Sequence, residues 1–226
     1  MQRSLTVIVP AFNEEKNLEA SVREILDAAN KSDLSIEIII IDDGSKDGTW
    51  DCAQRVQNSN SQVKCIKNES NKGLGGTYKV GLAASQSEYI TWVPADCSHG
   101  SGSLLDAYQA IGDADIIIPV PTNPQVRPLS RQLISRLFTA IVNGSTKLNI
   151  PYYNGLSVHK KTLLDGIKVG TDGFGFQAEI IVKLIRGGAS YKLVDTHISE
   201  RKGGFSKAFT LKNMLQVLKT LINLKK

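Results

Sequence analysis

Long apolar runs are missing from this chain of 226 residues, and no stretch approaches the roughly 20 residues needed to cross a bilayer. Its first ten residues lack the charged start and cleavage site of a secretory signal. Cysteine is scarce: Cys52, Cys65 and Cys97 are an odd set without C-x-x-C spacing, which excludes a disulfide framework and a zinc motif. These absences point to a reducing, cytoplasmic setting. Aromatics make up only 6% of the chain, with no aromatic platform or nucleic-acid-binding signature, so no nucleic acid is expected as a partner. The net charge of +5 still asks for an anionic partner, either a small molecule or a membrane surface.

What is present is organised around EIIIIDDGSKDGT, residues 37–49. The β-branched run Ile38 to Ile41 is too short for a helix and too apolar for a half-exposed strand, so it reads as a parallel strand buried on both faces. It ends at Asp42 and Asp43, a carboxylate pair at the strand edge where open α/β sheets bind ligands. Asp47 to Thr49 read as the start of the following helix. A strand at Leu5 to Val9, a helix to about Ala29, a helix from about Trp50 to Gln57 and a strand at Val63 to Lys67 complete a β-α-β-α-β order. That order implies right-handed crossovers and an α/β sheet, Rossmann-like and mostly parallel, with helices on both faces.

Further along, Asn71 to Gly76 opens a helix. Its glycines allow either a backbone approach to phosphate beside Lys72 and Gly73 or close packing of the helix start, and the dinucleotide fingerprint fails at Tyr78. Tyr89 to Val93 is a strand ending at Pro94, Ala95 and Asp96, a second acidic strand end. Strands are also expected at Asp113 to Val120, Tyr152 to His159 and Tyr191 to His197. A short helix is expected at Thr162 to Asp165, and longer ones over 129–143 and 176–186. Residues 208–224 carry a regular apolar stripe with lysines elsewhere. The stripes of 129–143 and 208–224 fit either packing on the core or a helix lying in a membrane interface.

In order along the chain, VIVPAFNEEKN, IIIIDDGSKDGT, NKGLGGTYKVGL, the PAD strand end, GFGFQAEIIVKLIRGG and ERKGGFSK resemble family-2 glycosyltransferases of the GT-A fold. The last two segments resemble the branch of dolichyl-phosphate mannose synthases and polyprenyl-phosphate glycosyltransferases. The resemblance covers nearly the whole chain. It implies a transferase domain over 1–207 followed by an amphipathic helix over 208–226, and an inverting transfer of sugar from a UDP- or GDP-sugar. The implied acceptor is a polyprenyl phosphate or a glycan, reached at a membrane surface or through a membrane-protein partner, with the protein peripheral at the cytoplasmic face.

By the same resemblance, Pro10, Ala11, Phe12, Asn13, Glu14, Asp42, Asp43, Lys72, Gly73, Ala95 and Asp96 contact the nucleotide sugar. Asp96 matches the last acid of a D-x-D motif and implies a divalent cation, Mn2+ or Mg2+. Pro94 replaces that motif's first acid, Ser98 stands where the synthases often carry glutamine, and His99 is a second candidate ligand. Arg201 and Lys207 match basic residues that reach donor and acceptor phosphates. A hydroxyl acceptor would need a base, for which Asp172 and Glu179 are candidates, whereas an ionised phosphate would not. For Glu179 the alternative is acceptor positioning. Tyr152 to Gly155 departs from the synthases' usual acceptor-side sequence. Two other readings compete: a nucleotidyltransferase, and a non-catalytic nucleotide-sugar-binding protein.

Overall fold

In the computed structural model, which describes residues 2–97 and 99–198, the isoleucine run lies at the heart of a seven-stranded sheet. Ile38 to Ile41 are at most 1% exposed, covered on both faces as a parallel strand requires. They belong to β2 (Ser35–Asp42), which pairs in parallel with β1 (Ser4–Ala11) and β3 (Val63–Lys67). β1 also pairs in parallel with β4 (Tyr89–Trp92). Between them run α1 (Leu18–Asn30), α2 (Thr49–Ser59) and α3 (Gly73–Ala84).

The second half adds α4 (Gly100–Gln109), β5 (Ile116–Pro121), a 3-10 turn (Pro124–Val126) and α5 (Leu129–Thr146). It continues with β6 (Val158–Lys160), α6 (Lys161–Leu164), α7 (Phe176–Arg186) and β7 (Tyr191–Thr196). The strand order is β3-β2-β1-β4-β6-β5-β7, with β6 antiparallel to both neighbours. β5 therefore runs in the same direction as β4, and the carboxyl ends of β1 to β5 share one edge.

One expectation needs correction, and one helix is not foreseen from the sequence. The strand expected over Tyr152 to His159 shrinks to Val158–Lys160. Before it, the carbonyls of Leu156 and Ser157 accept from the Thr91 hydroxyl at 3.3 and 3.0 Å, so a side chain stands in for ladder bonds. Gly155 also lies so close to the Pro119 carbonyl that a Cβ there would sit 2.7 Å from it. No element is expected from the sequence over the residues of α4, which begins Gly-Ser-Gly-Ser. Its later residues Leu104, Ala107 and Tyr108 are buried, and tertiary packing overrides the poor propensity of its first turn. Arg201, Lys207 and the 208–226 segment lie outside the described residues.

Candidate active site

The shared edge gathers the loops after β1, β2 and β4. The Asp43 amide donates to the Ala11 carbonyl at 2.8 Å, and the Ala95 amide to Pro10 at 3.3 Å. Asn13 takes a left-handed backbone (φ 55°), which asparagine tolerates. Its amide donates to Ser45 Oγ and its Oδ1 accepts the Lys46 amide, each at 2.9 Å. The Glu14 amide donates to Thr49 Oγ1, also at 2.9 Å. Asp47 accepts the Thr49 amide at 3.1 Å, which secures the start of α2. Pro10, Phe12 and Glu14 are half-buried along this seam, so the two loops form one wall.

The paired carboxylates do different things. Asp43 is 4% exposed and fully engaged. Its Oδ1 accepts from Asn68 Nδ2 at 2.8 Å and the Lys72 amide at 2.9 Å, and its Oδ2 from the Gly73 amide at 3.0 Å. Asp42 is fully buried and only half used. Its Oδ1 accepts the Ser45 amide at 3.0 Å, while its Oδ2 is buried without a hydrogen-bond partner. A buried carboxylate oxygen left in that state is costly unless a ligand donor meets it.

The glycines after Lys72 serve close packing. A Cβ on Gly73, whose φ is +75°, would lie 2.9 Å from the Asp172 carbonyl, and one on Gly75 would lie 2.6 Å from that of Thr171. The Gly75 amide donates to the Asp172 carbonyl at 2.8 Å. The Lys72 side chain is exposed, and only its amide is held. Behind the 170–172 loop sits Glu179, fully buried in the first turn of α7. It accepts the amides of Gly170 at 2.8 Å and Thr171 at 3.0 Å, and pairs with Lys183 at 2.6 Å. That geometry clamps a loop and leaves no exposed oxygen facing an acceptor. Asp172 is largely exposed and pairs with Lys79 at 2.8 Å.

At the end of β4, Ala95 and Asp96 form a turn and Cys97 is left-handed (φ 50°). His99 follows, half-buried. Burial pushes its imidazole down to about 4; Asp96 opposes that shift, while Arg127 and Arg131 add to it. The ring is therefore neutral near pH 7, with a nitrogen lone pair available. His99 and Arg127 line one small cavity with Tyr108, Tyr152 and Thr196. Arg127 Nη1 donates to Tyr152 Oη at 2.6 Å, and the guanidinium lies 5.9 Å from that ring's centroid. In the sequence Arg127 and Arg131 belong to no motif and are expected only on or near the apolar face of the 129–143 helix. The structure brings them to the Asp96 turn, and no spacing rule would have revealed that proximity.

Among the described residues no three His, Cys, Asp or Glu side chains gather into a metal cage. Asp96, with a neutral imidazole nearby, fits a hard cation that arrives with phosphates and takes most of its ligands from them and from water.

The sequence model described as "Glycosyl transferase family 2" matches residues 6–167. The chain belongs to this family. The family-2 chain is 29% identical to the undecaprenyl-phosphate mannosyltransferase of Micrococcus luteus, an alignment covering 91% of it and 87% of the relative. It is 28% identical to the dolichol-phosphate mannosyltransferase of Pyrococcus furiosus over 79% of its own length, and spans about half (52%) of that protein. Among solved structures it resembles glucosyl-3-phosphoglycerate synthase from Mycobacterium tuberculosis, crystallised with Mn2+, UDP-glucose and phosphoglyceric acid. The TM-score is 0.74 at 16% identity, covering 99% of this chain and 80% of that one. The fold is thus GT-A, and the protein is a glycosyltransferase that moves sugar from a nucleotide-sugar donor to an acceptor. Family membership sets aside the nucleotidyltransferase reading.

Proposed function

We propose that this glycosyltransferase moves a hexose from a UDP- or GDP-sugar to a polyprenyl phosphate, with inversion at the anomeric carbon. The observation that carries the donor site is the buried, unpartnered Asp42 Oδ2 at the edge that also holds the Asp96 turn. A nucleobase N–H or ribose hydroxyl would give that oxygen its missing donor. Pro10, Ala11, Phe12, Asn13 and Glu14 would wall the nucleotide. Asp43 would set the Lys72–Gly73 backbone in place while its own oxygens stay occupied. Asp96, with Ala95 beside it and His99 nearby, would hold a divalent cation that offsets charge on the departing diphosphate.

The acceptor reading draws support from the two prenyl-phosphate mannosyltransferases and from charge. Arg127 and Arg131 bring two guanidiniums towards the Asp96 turn, chemistry suited to an acceptor phosphate. Arg201 and Lys207 would add to it. In the reaction a phosphate oxygen attacks C1 of the sugar, and the bond from C1 to the diphosphate oxygen breaks. The phosphate is already ionised, so no base is needed, and Glu179 can serve as a loop clamp. A polyprenyl phosphate sits in a bilayer, so the enzyme must meet a membrane surface or a membrane-protein partner.

Calorimetry with UDP-glucose and GDP-mannose, with and without Mn2+, tests the donor site on wild type, Asp42→Asn and Asp96→Asn. The expected result is one donor bound with Mn2+, and binding lost or weakened in both variants. Donor binding without turnover on any polyprenyl phosphate or glycan would leave a nucleotide-sugar-binding protein instead.

A further inference from the structure

α5 faces the wrong way for a helix that packs on a core. Of its eighteen residues only Val142 and Thr146 are buried. Leu129, Leu133 and Leu137 are 82, 68 and 59% exposed, and Ile134 and Ile141 are 47 and 41% exposed. These are five of the eight large apolar side chains exposed among the described residues. At about 100° per residue, the five fall within an arc of roughly 140°, with Arg136 at its edge. Arg131 and Ser135 lie on the opposite side, half-buried. Single exposed leucines need no explanation, but a contiguous apolar row on one helix does.

Charge identifies the occupant. No acidic residue occurs between Asp115 and Asp165, a stretch that holds Arg127, Arg131, Arg136, Lys147, Lys160 and Lys161. No acid follows Glu200 either, where Lys212, Lys219, Lys225 and Lys226 accompany the apolar stripe of 208–224. Folding that segment over α5, or pairing two copies of α5, would bring like charges together. An anionic bilayer complements both features: its acyl boundary takes the leucines and isoleucines, and its phosphates take the basic residues.

We propose that the outer face of α5 docks on an anionic lipid surface, with Leu129, Leu133, Ile134, Leu137 and Ile141 entering the headgroup–acyl boundary and Arg136 meeting lipid phosphates. This deepens the prenyl-phosphate reading and rests on it for its purpose. Arg127, two residues before α5, shares a cavity with His99, so docking would bring the bilayer beside the acidic turn after β4.

Flotation of the full chain with vesicles provides the test, using phosphatidylcholine alone or with about one third phosphatidylglycerol. The expected result is binding to the anionic vesicles only, weakened at about 0.5 M salt. Leu133→Ser/Leu137→Ser should lower that binding about tenfold or more, with unchanged melting temperature and donor binding. Arg136→Glu should reduce the preference for anionic lipid. Failure of the wild type to float, or equal flotation of wild type and double variant, overturns the proposal. So does a double variant that melts earlier, or that is monomeric where wild type is dimeric, because the face is then covered by the chain itself or by a second copy. Loss of donor binding with flotation intact would instead break the transferase reading and leave the surface standing.

Discussion

α5 and α7 are both rich in leucine and isoleucine, yet they use them oppositely. α7 buries eight of its eleven residues, among them Ile180, Ile181 and Val182, and its first turn places Glu179 behind the loop that meets α3. α5 buries two of eighteen and turns its leucines outward. An apolar stripe therefore says that a helix has a face to cover, and only packing says what covers it. In α7 the cover is the hydrophobic core, where Phe176 meets Tyr78 of α3 and Trp92 of β4. In α5 charge points outward.

The largest expected effect tests α7's side of the contrast. Glu179→Ala strips acceptors from two backbone amides and from Lys183 at a fully buried position. Losing three hydrogen bonds to a buried carboxylate costs about 3–5 kcal/mol, to be read by urea unfolding. Glu179→Gln keeps an acceptor, so it should lose less stability and retain transfer. If it folds normally and loses transfer entirely, Glu179 is a base after all and α7 does more than scaffold.

A matched pair of truncations puts the two helices side by side. Ile181→Ala, at 0% exposure, should cost about 2–5 kcal/mol. Leu133→Ala, at 68% exposure, should change stability by no more than about 0.5 kcal/mol. Equal costs would mean that α5 is covered in solution.

The sequence made much of this fold readable, and the reasons are local. The Ile38 to Ile41 run could only be a doubly buried strand, and the acids that follow it had to lie at the sheet edge. Which acid would meet a ligand was not readable, because Asp42 and Asp43 are chemically identical. The difference lies in Asn68 and the Lys72–Gly73 amides, some 25 to 30 residues away. The glycines of 73–76 admitted two readings until the 171–172 carbonyls lay against them. α4 was hidden by its Gly-Ser-Gly-Ser start. The acid-free stretch from 116 to 164 is legible in the sequence, but lysines and arginines occur over most of the chain and mask it.

A smaller effect is expected at the donor edge, which neither helix covers. Asp42→Asn keeps an oxygen for the Ser45 amide but removes the charge from the buried, unpartnered site. Hydrogen bonds to a charged group contribute about 1.5–3 kcal/mol, so donor affinity should fall roughly 10- to 100-fold in calorimetry with little change in unfolding. The matching Asp43→Asn should act mainly through the Lys72–Gly73 loop and lower stability as well. Identical behaviour of the two variants would erase the division of labour.

β6 sharpens the comparison further, because it lies in the same acid-free stretch as α5 but is buried like α7. His159 is 0% exposed with neither ring nitrogen partnered, and burial pushes it down to about 3. The unfolded chain takes up a proton near pH 6.5 that the native state refuses until about 3. Stability is therefore undiminished above about pH 6.5 and falls as pH drops towards 3, by at most about 1.4 kcal/mol per pH unit for this residue. His99, held at about 4, contributes in the same direction. His159→Leu should make the decline of stability between about pH 6.5 and 4.5 shallower by one proton's worth, whatever it does to stability at pH 7. A slope left unchanged by the substitution would mean that β6 opens to solvent as α5 does, and that burial in this half of the molecule begins only at α7.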